Sequence, residues 1–302
     1  MNTRTANRIR KLFFLGVSLG PATIILVVFT YVAIVYCFWI SLHRWNMLTP
    51  ARWVGFENYV TAFQSGEFRD SVRITFVYTL IAVPFCVVLG LLIGLLLKQI
   101  TRGRAFFRLM FFLPVITSMI VAAMIWEWIF DAEMGLLNNL LYALGASRAP
   151  RIHWMNWLKD AQGGAMAAVL TVGIWKRVGY NAVIFLAGLN NIPGEYQEAA
   201  RIDGAGTLRR FWTITLPLLS PTTFFVVVLQ VISAFRVLVS VAVMTGGGPA
   251  KSTNVLVYYL YTTAFRYFKM GEGATLGMVV LLIILVFTVI QFRVGEKRVH
   301  YQ

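Results

Sequence analysis

The chain has 302 residues, of which 59% are hydrophobic and only 13% charged, and its mean hydropathy is +0.73; a soluble domain of this size does not carry so apolar a composition. The 27 Lys and Arg against 12 Asp and Glu leave a net charge of +15, but an integral protein gathers basic residues on its cytoplasmic loops, so the surplus reads as topology and not as a nucleic-acid footprint. Cys37 and Cys86 both lie in apolar runs, which excludes a disulfide framework and a zinc site with closely spaced ligands.

A bilayer core about 30 Å thick is crossed by roughly 20 apolar residues in helical form. Six stretches meet that requirement, at about 19–40, 74–97, 109–130, 165–189, 221–244 and 274–292. The first follows Arg8, Arg10 and Lys11 as the core of a signal peptide would, but it is too long and lacks a convincing small-residue cleavage site, so it reads as a permanent span. In the second, Gly90 and Gly94 lie one turn apart and let a neighbouring helix approach closely. Pro84 there and Pro114 in the third span each remove a helical donor and predict a kink. The longest loop, about 131–164, is too short for an independent core, which leaves 1–302 as one transmembrane domain; its Trp154, Trp157 and Leu158 suit the outer interface. Lys and Arg concentrate at the N-terminus, in the second loop (Lys98, Arg102, Arg104, Arg108), in the fourth (Arg201, Arg209, Arg210) and in the tail (Arg293, Lys297, Arg298). The alternate loops hold most of the acids, so both termini are expected in the cytoplasm.

The fourth loop, about 193–217, has helix signals of its own. Pro193 suits a helix start, Glu195 favours the positive end of the helix dipole, and Ala199 and Ala200 are strong helix formers with almost no side chain. Gly204 then permits a left-handed turn into a second helix through Leu208, Phe211 and Ile214, which Pro217 and Pro221 are expected to stop. Such a hairpin is either a plain connection between spans or a docking knob, whose alanines sink into a partner's groove while Glu198 and Asp203 meet basic residues there.

A resemblance bears on that choice. Glu198-Ala199-Ala200, three residues, Gly204, nine residues, Ile214, one residue and Leu216-Pro217 reproduce without gap the signature loop of permease subunits in binding-protein-dependent ABC importers. Phe185-Leu186-Ala187-Gly188-Leu189 is similar to the fourth core span of the carbohydrate and glycerol phosphate branch, and Thr245-Gly246-Gly247-Gly248-Pro249 with Tyr261, Ala264 and Phe265 to its outer loop. The resemblance implies an all-α type I permease fold with six transmembrane helices. It also implies coupling to a separate ATPase through Glu198, Ala199, Ala200, Asp203 and Gly204. The implied partners are a second permease subunit, two ATP-binding cassette subunits and a periplasmic or surface-tethered solute-binding protein. ATP and Mg would be bound by the partner ATPase, with no cofactor in this chain, and the setting would be the inner membrane with its lipid.

Lys176 and Arg177 stand near the middle of span four and Arg236 deep in span five. A cation at a helix centre costs on the order of 2.5 to 3.5 kcal/mol, so each calls for carbonyl partners or a wet cavity. They are either structural or line a path that attracts a phosphate or carboxylate. The resemblance adds Trp175, Val178, Gly179 and Gln230 as path positions for a saccharide or related solute, acidic or neutral. Gly246 to Thr253 superficially resembles a phosphate loop, but Ala250 stands where a glycine must precede the lysine. His43, His153 and His300 are scattered, and no clustered acid, base or metal ligands suggest a membrane enzyme. An ion-driven secondary transporter is the remaining alternative, although it needs no docking hairpin.

Overall fold

Long apolar runs in lipid can satisfy their backbone only as helices, and in the computed structural model helices carry nearly all the described chain, residues 3–131, 133–146 and 164–296. Trp154, Trp157, Leu158, His153 and His300, singled out above, lie outside the described residues, as do Lys297 and Arg298. Among the described residues, five helices are long and apolar enough to cross a membrane: Gly16–Ser41, Gly66–Gln99, Gly164–Asn190, Ser220–Met244 and Met270–Gly295. The pair Ala105–Ile116 and Met119–Ile129, counted as one broken span, makes the sixth.

The packing divides into two compact units, one of Met1–Ser65 with Leu260–Val279 and the other of Gly66–Tyr259 with Val280–Gln302. In the first, a short antiparallel hairpin pairs His43 with Trp53 and Arg44 with Arg52. It is tied down by Asn58, whose Nδ2 donates to the carbonyls of Ser41 (2.8 Å) and His43 (3.0 Å), and by a 2.7 Å bond between the Ser41 and Tyr59 hydroxyls.

The second unit is organised by small residues. Lipid tails are as apolar as leucine, so helices in a bilayer associate by close fit rather than by the hydrophobic effect. Span two buries Ser71, Thr75, Tyr78, Ala82, Cys86, Gly90, Gly94 and Leu97, a stripe at helical spacing. A Cβ at Gly90 would lie 2.6 Å from the Asn181 Cβ, and one at Gly94 3.1 Å from the Phe185 Cβ. The expected close approach is therefore made, and its partner is span four. Leu97, Ala182 and Leu186 continue the seam, and Leu189, Ile192 and Leu219 close it below the fourth span.

The kink expected in the third span is present and sharp, a bend of 97°. Thr117 and Ser118 are extended (ψ 151° and 136°), and the Pro114 carbonyl, which would accept from the next turn, takes the Thr117 hydroxyl at 2.7 Å instead. By contrast the helix through Pro84 runs unbroken from Gly66 to Gln99. Pro217 does not stop the loop's second helix: Thr207–Arg210 continues through a wider turn, Phe211–Thr215, into Leu216–Leu218, and that turn absorbs the missing donor. Only the buried Leu219 intervenes before Ser220–Phe235, whose first turn contains Pro221. Arg236 lies within the span Ser220–Met244, as expected, but at a break in its helix. It caps Ser220–Phe235, and the chain breaks there before resuming as Val239–Met244.

Candidate functional site: an exposed hairpin and a buried polar core

The loop after span four folds from its local signals. Pro193, with ψ 136°, is the N-cap of Gly194–Ile202, Glu195 lies in the first turn and Arg201 in the last, both matched to the helix dipole. The end is a Schellman cap: Gly204 is left-handed at φ +76°, its N–H donates to the Arg201 carbonyl (3.1 Å), and the Ala205 N–H donates to the Ala200 carbonyl (2.9 Å). The helix therefore ends at a set residue and turns back into Thr207–Arg210, and Gln197 Nε2 donates to Thr215 Oγ1 at 3.1 Å to tie the two arms.

The turn's outer surface is open. Glu198, Ala199, Arg201, Asp203 and Gly204 are exposed and Ala200 is half-buried. Ile202 is 87% exposed, Leu208 73% and Trp212 59%. Ile202 stands between the basic Arg201 and the acidic Asp203, so the turn presents apolar surface and both signs of charge together. The five residues expected to couple thus fall on one short hairpin, with the exposed Ile202 beside them.

The expected path residues do not form one lining. Lys176 bonds the broken third span: its Nζ donates to the carbonyls of Pro114 (2.9 Å) and Thr117 (2.6 Å). A helix that ends in mid-membrane leaves carbonyls without donors, and the ammonium supplies two. Arg177 crosses to span two, where its Nη2 donates to the Tyr78 hydroxyl at 3.1 Å and its Nη1 is buried without a partner. Trp175 is half-buried and meets Trp126 edge to face at 5.6 Å. Val178 is half-buried; Gly179 is buried against the Phe111 carbonyl, where a side chain would not fit. Gln230 is 3% exposed, and its Nε2 donates to Asn181 Oδ1 at 2.8 Å. Asn181 in turn donates to the Cys86 carbonyl at 3.1 Å, so spans two, four and five share one buried chain of hydrogen bonds. Arg236 stands apart from this chain, exposed at the break in span five.

Asn181 and Tyr78 were not anticipated. The signal for Asn181 was available, since it lies one turn from Arg177 on the same span and is the kind of residue that bonds across helices in a bilayer. Glu127, half-buried in Met119–Ile129, is an intramembrane carboxylate that the reading of the loops also passed over.

The backbone amides of the glycine-rich loop after span five do not form a phosphate loop. Its amides are spent internally: Gly246 N–H on the Val241 carbonyl (2.9 Å), Gly248 N–H on the Thr245 carbonyl (3.0 Å) and Ser252 N–H on the Pro249 carbonyl (2.8 Å). Thr253 Oγ1 closes the turn, bonding Thr245 Oγ1 at 2.8 Å and the Gly248 carbonyl at 2.9 Å.

Comparison with known proteins agrees with this architecture. The chain is 36% identical over 285 residues to a probable ABC transporter permease protein, YurN, of Bacillus subtilis (strain 168), covering 92% of this chain and 96% of that one. It is 36% identical over 252 residues to the sn-glycerol-3-phosphate transport system permease protein UgpA of Agrobacterium fabrum (strain C58 / ATCC 33970), with 83% of each covered. A solved bacterial ABC transporter involved in the import of the acidic polysaccharide alginate has a chain that superposes with a TM-score of 0.82 at 20% identity, over 97% of this chain and 99% of that one, a likeness of fold. Residues 59–300, which contain the hairpin, the broken span and the buried polar chain, match the binding-protein-dependent transport system inner membrane component family, and the protein is a member of that family of ABC importer permeases.

Proposed function

We propose that this permease forms half of the translocation path of an ATP-driven importer for a saccharide or polyol phosphate and receives its motion through the hairpin Gly194–Leu218. The observation that carries the reading is the exposed turn around Glu198, Ala199, Ala200, Asp203 and Gly204: a short, hydrogen-bonded hairpin with apolar tips that no described residue of its own chain covers. On this reading the hairpin and both termini are cytoplasmic. A separate pair of ATPase subunits binds ATP and Mg, and the chemistry of hydrolysis belongs to them. When their closure shifts the hairpin, a second permease and this one tilt between inward-open and outward-open states. A binding protein delivers the solute from outside, as the family's description suggests. An ion-gradient mechanism is not favoured, because it gives the hairpin no task.

Substrate class rests on the relatives, one named for glycerol 3-phosphate and one for an acidic polysaccharide, and on Arg236 and Arg177, cations inside the spans that no carboxylate neutralises among the described residues. Lys176 is assigned to holding the bend rather than to the solute. The test is copurification. Tagged permease should bring down its ATPase, and Glu198→Lys should reduce recovery roughly tenfold, the loss of one well-placed interfacial charge contact, while leaving the permease folded. Full recovery with Glu198→Lys and also with Ile202→Asp would remove the hairpin from the interface.

A further inference from the structure

A cavity of about 570 Å³ opens where spans two and four begin, at the end of the spans opposite the hairpin. Its mouth is polar and carries both signs of charge. Asp70 and Arg73 line it, both exposed, and neither makes an ion pair among the described residues. Glu67 is already engaged, by Lys251 at 2.8 Å and by Asn254 Nδ2 at 3.2 Å, which fixes the loop after span five as the cavity's rim. Two hydroxyls in the lining are buried without partners, Ser71 Oγ on a side chain that is 0% exposed and Ser252 Oγ on the rim. Buried hydroxyls in native proteins are nearly always bonded, so two orphans in one lining point to a ligand that supplies acceptors.

Below the mouth the cavity changes character. Ile74, Val77 and Ile81 form a stripe down span two, and Met166, Ala167 and Leu170 face them from span four. From Asp70 to Ile81 the helix descends about 16 Å, which is close to one leaflet of a hydrocarbon core about 30 Å thick. The described lining contains no aromatic ring, the feature expected of a saccharide platform. A polar, doubly charged head above an aliphatic groove one leaflet deep has the dimensions and polarity of a phospholipid. The requirement for one acid and one base selects a headgroup with a phosphate and a primary ammonium.

We propose that this cavity holds a single aminophospholipid. The phosphate accepts from Arg73 and the two serine hydroxyls, the ammonium meets Asp70, and an acyl chain lies along the Ile74–Ile81 stripe. The inference needs only that the chain spans a bilayer and does not depend on the hairpin's partner.

The experiment uses the full chain in its assembled transporter, equilibrated in vesicles of equal phosphatidylethanolamine and phosphatidylglycerol and read by native mass spectrometry. One phosphatidylethanolamine should remain bound with about fivefold preference over phosphatidylglycerol, the discrimination of one favourable ion pair. Asp70→Asn should bring the two lipids to parity, and Leu170→Trp, which fills the groove, should remove both. Neither variant should change elution of the assembled protein, and Asp70→Asn keeps the test intact if the tryptophan disturbs packing. Absence of bound lipid in the wild type, an unchanged preference in Asp70→Asn, or displacement of the lipid by glycerol 3-phosphate or maltose would each overturn the proposal.

Discussion

Asn181 is the residue on which the buried polar chain turns. It is fully buried, accepts from Gln230 and donates to the Cys86 carbonyl, so its removal costs more than the two bonds it makes. Asn181→Leu leaves the Gln230 amide with neither end partnered, and a buried unsatisfied group costs about 1–3 kcal/mol. The detergent-solubilised protein should therefore unfold at a lower temperature. Adding Gln230→Leu should restore most of the difference, because replacing both partners by apolar groups removes the orphan; a double variant no more stable than Asn181→Leu alone would show that the pair is not a unit. Sequence alone marked Arg177 as a cation in an apolar setting, either structural or on the path, and the resemblance offered Gln230 as a path position; neither reading named a partner for them. Their partners, Asn181 and Tyr78, come from other spans, and register between helices is not written in either helix. Lys176 teaches the same lesson: its need for oxygen ligands followed from the cost of a buried cation and Pro114 announced a kink in span three, but that the two would meet followed from neither segment.

At the scale of elements, the hairpin was legible almost to the residue. Proline start, acidic first turn, basic last turn and glycine stop are all local chemistry, and each bond of the Schellman cap lies within six residues. The close pairing of spans two and four was legible as a capacity, since two glycines one turn apart allow it, but their partner was not. The geometry now separates glycines that touch from those that do not. Gly90→Ala should destabilise strongly, because its Cβ would lie 2.6 Å from the Asn181 Cβ and a backbone must move; overpacking of this kind costs about 1–3 kcal/mol. Gly16→Ala, with nothing within 4 Å of its Cβ, should be neutral in the isolated permease. Thermal unfolding of the two variants compares them directly, and equal losses would contradict the packing described. The proline rule succeeded at Pro221 and failed at Pro217, since a widened turn at Phe211–Thr215 can carry a missing donor and no local rule foresees it.

For the whole molecule, the proposed division of labour predicts that ATP turnover by the reconstituted assembly follows the binding protein. Turnover should rise several-fold with solute-loaded binding protein and remain low without it, a coupling of roughly 1–3 kcal/mol between outer and inner faces. An equally fast rate without binding protein would break the link from the outer loops to the hairpin. Uptake competition with acidic and neutral solutes, repeated with Arg236→Gln, assigns the remaining cation: loss confined to acidic solutes places it on the path.

Composition and hydropathy by themselves determined that this is a helical membrane protein of five or six spans, and local helix signals where its fourth loop folds into a hairpin, because each of those depends on the local cost of placing backbone and charge in lipid or water. Tertiary structure decided which polar side chains answer one another, where the third and fifth spans break, and that two orphaned hydroxyls share a groove. Those outcomes depend on the register between helices, a property of their shared surfaces that no single segment carries.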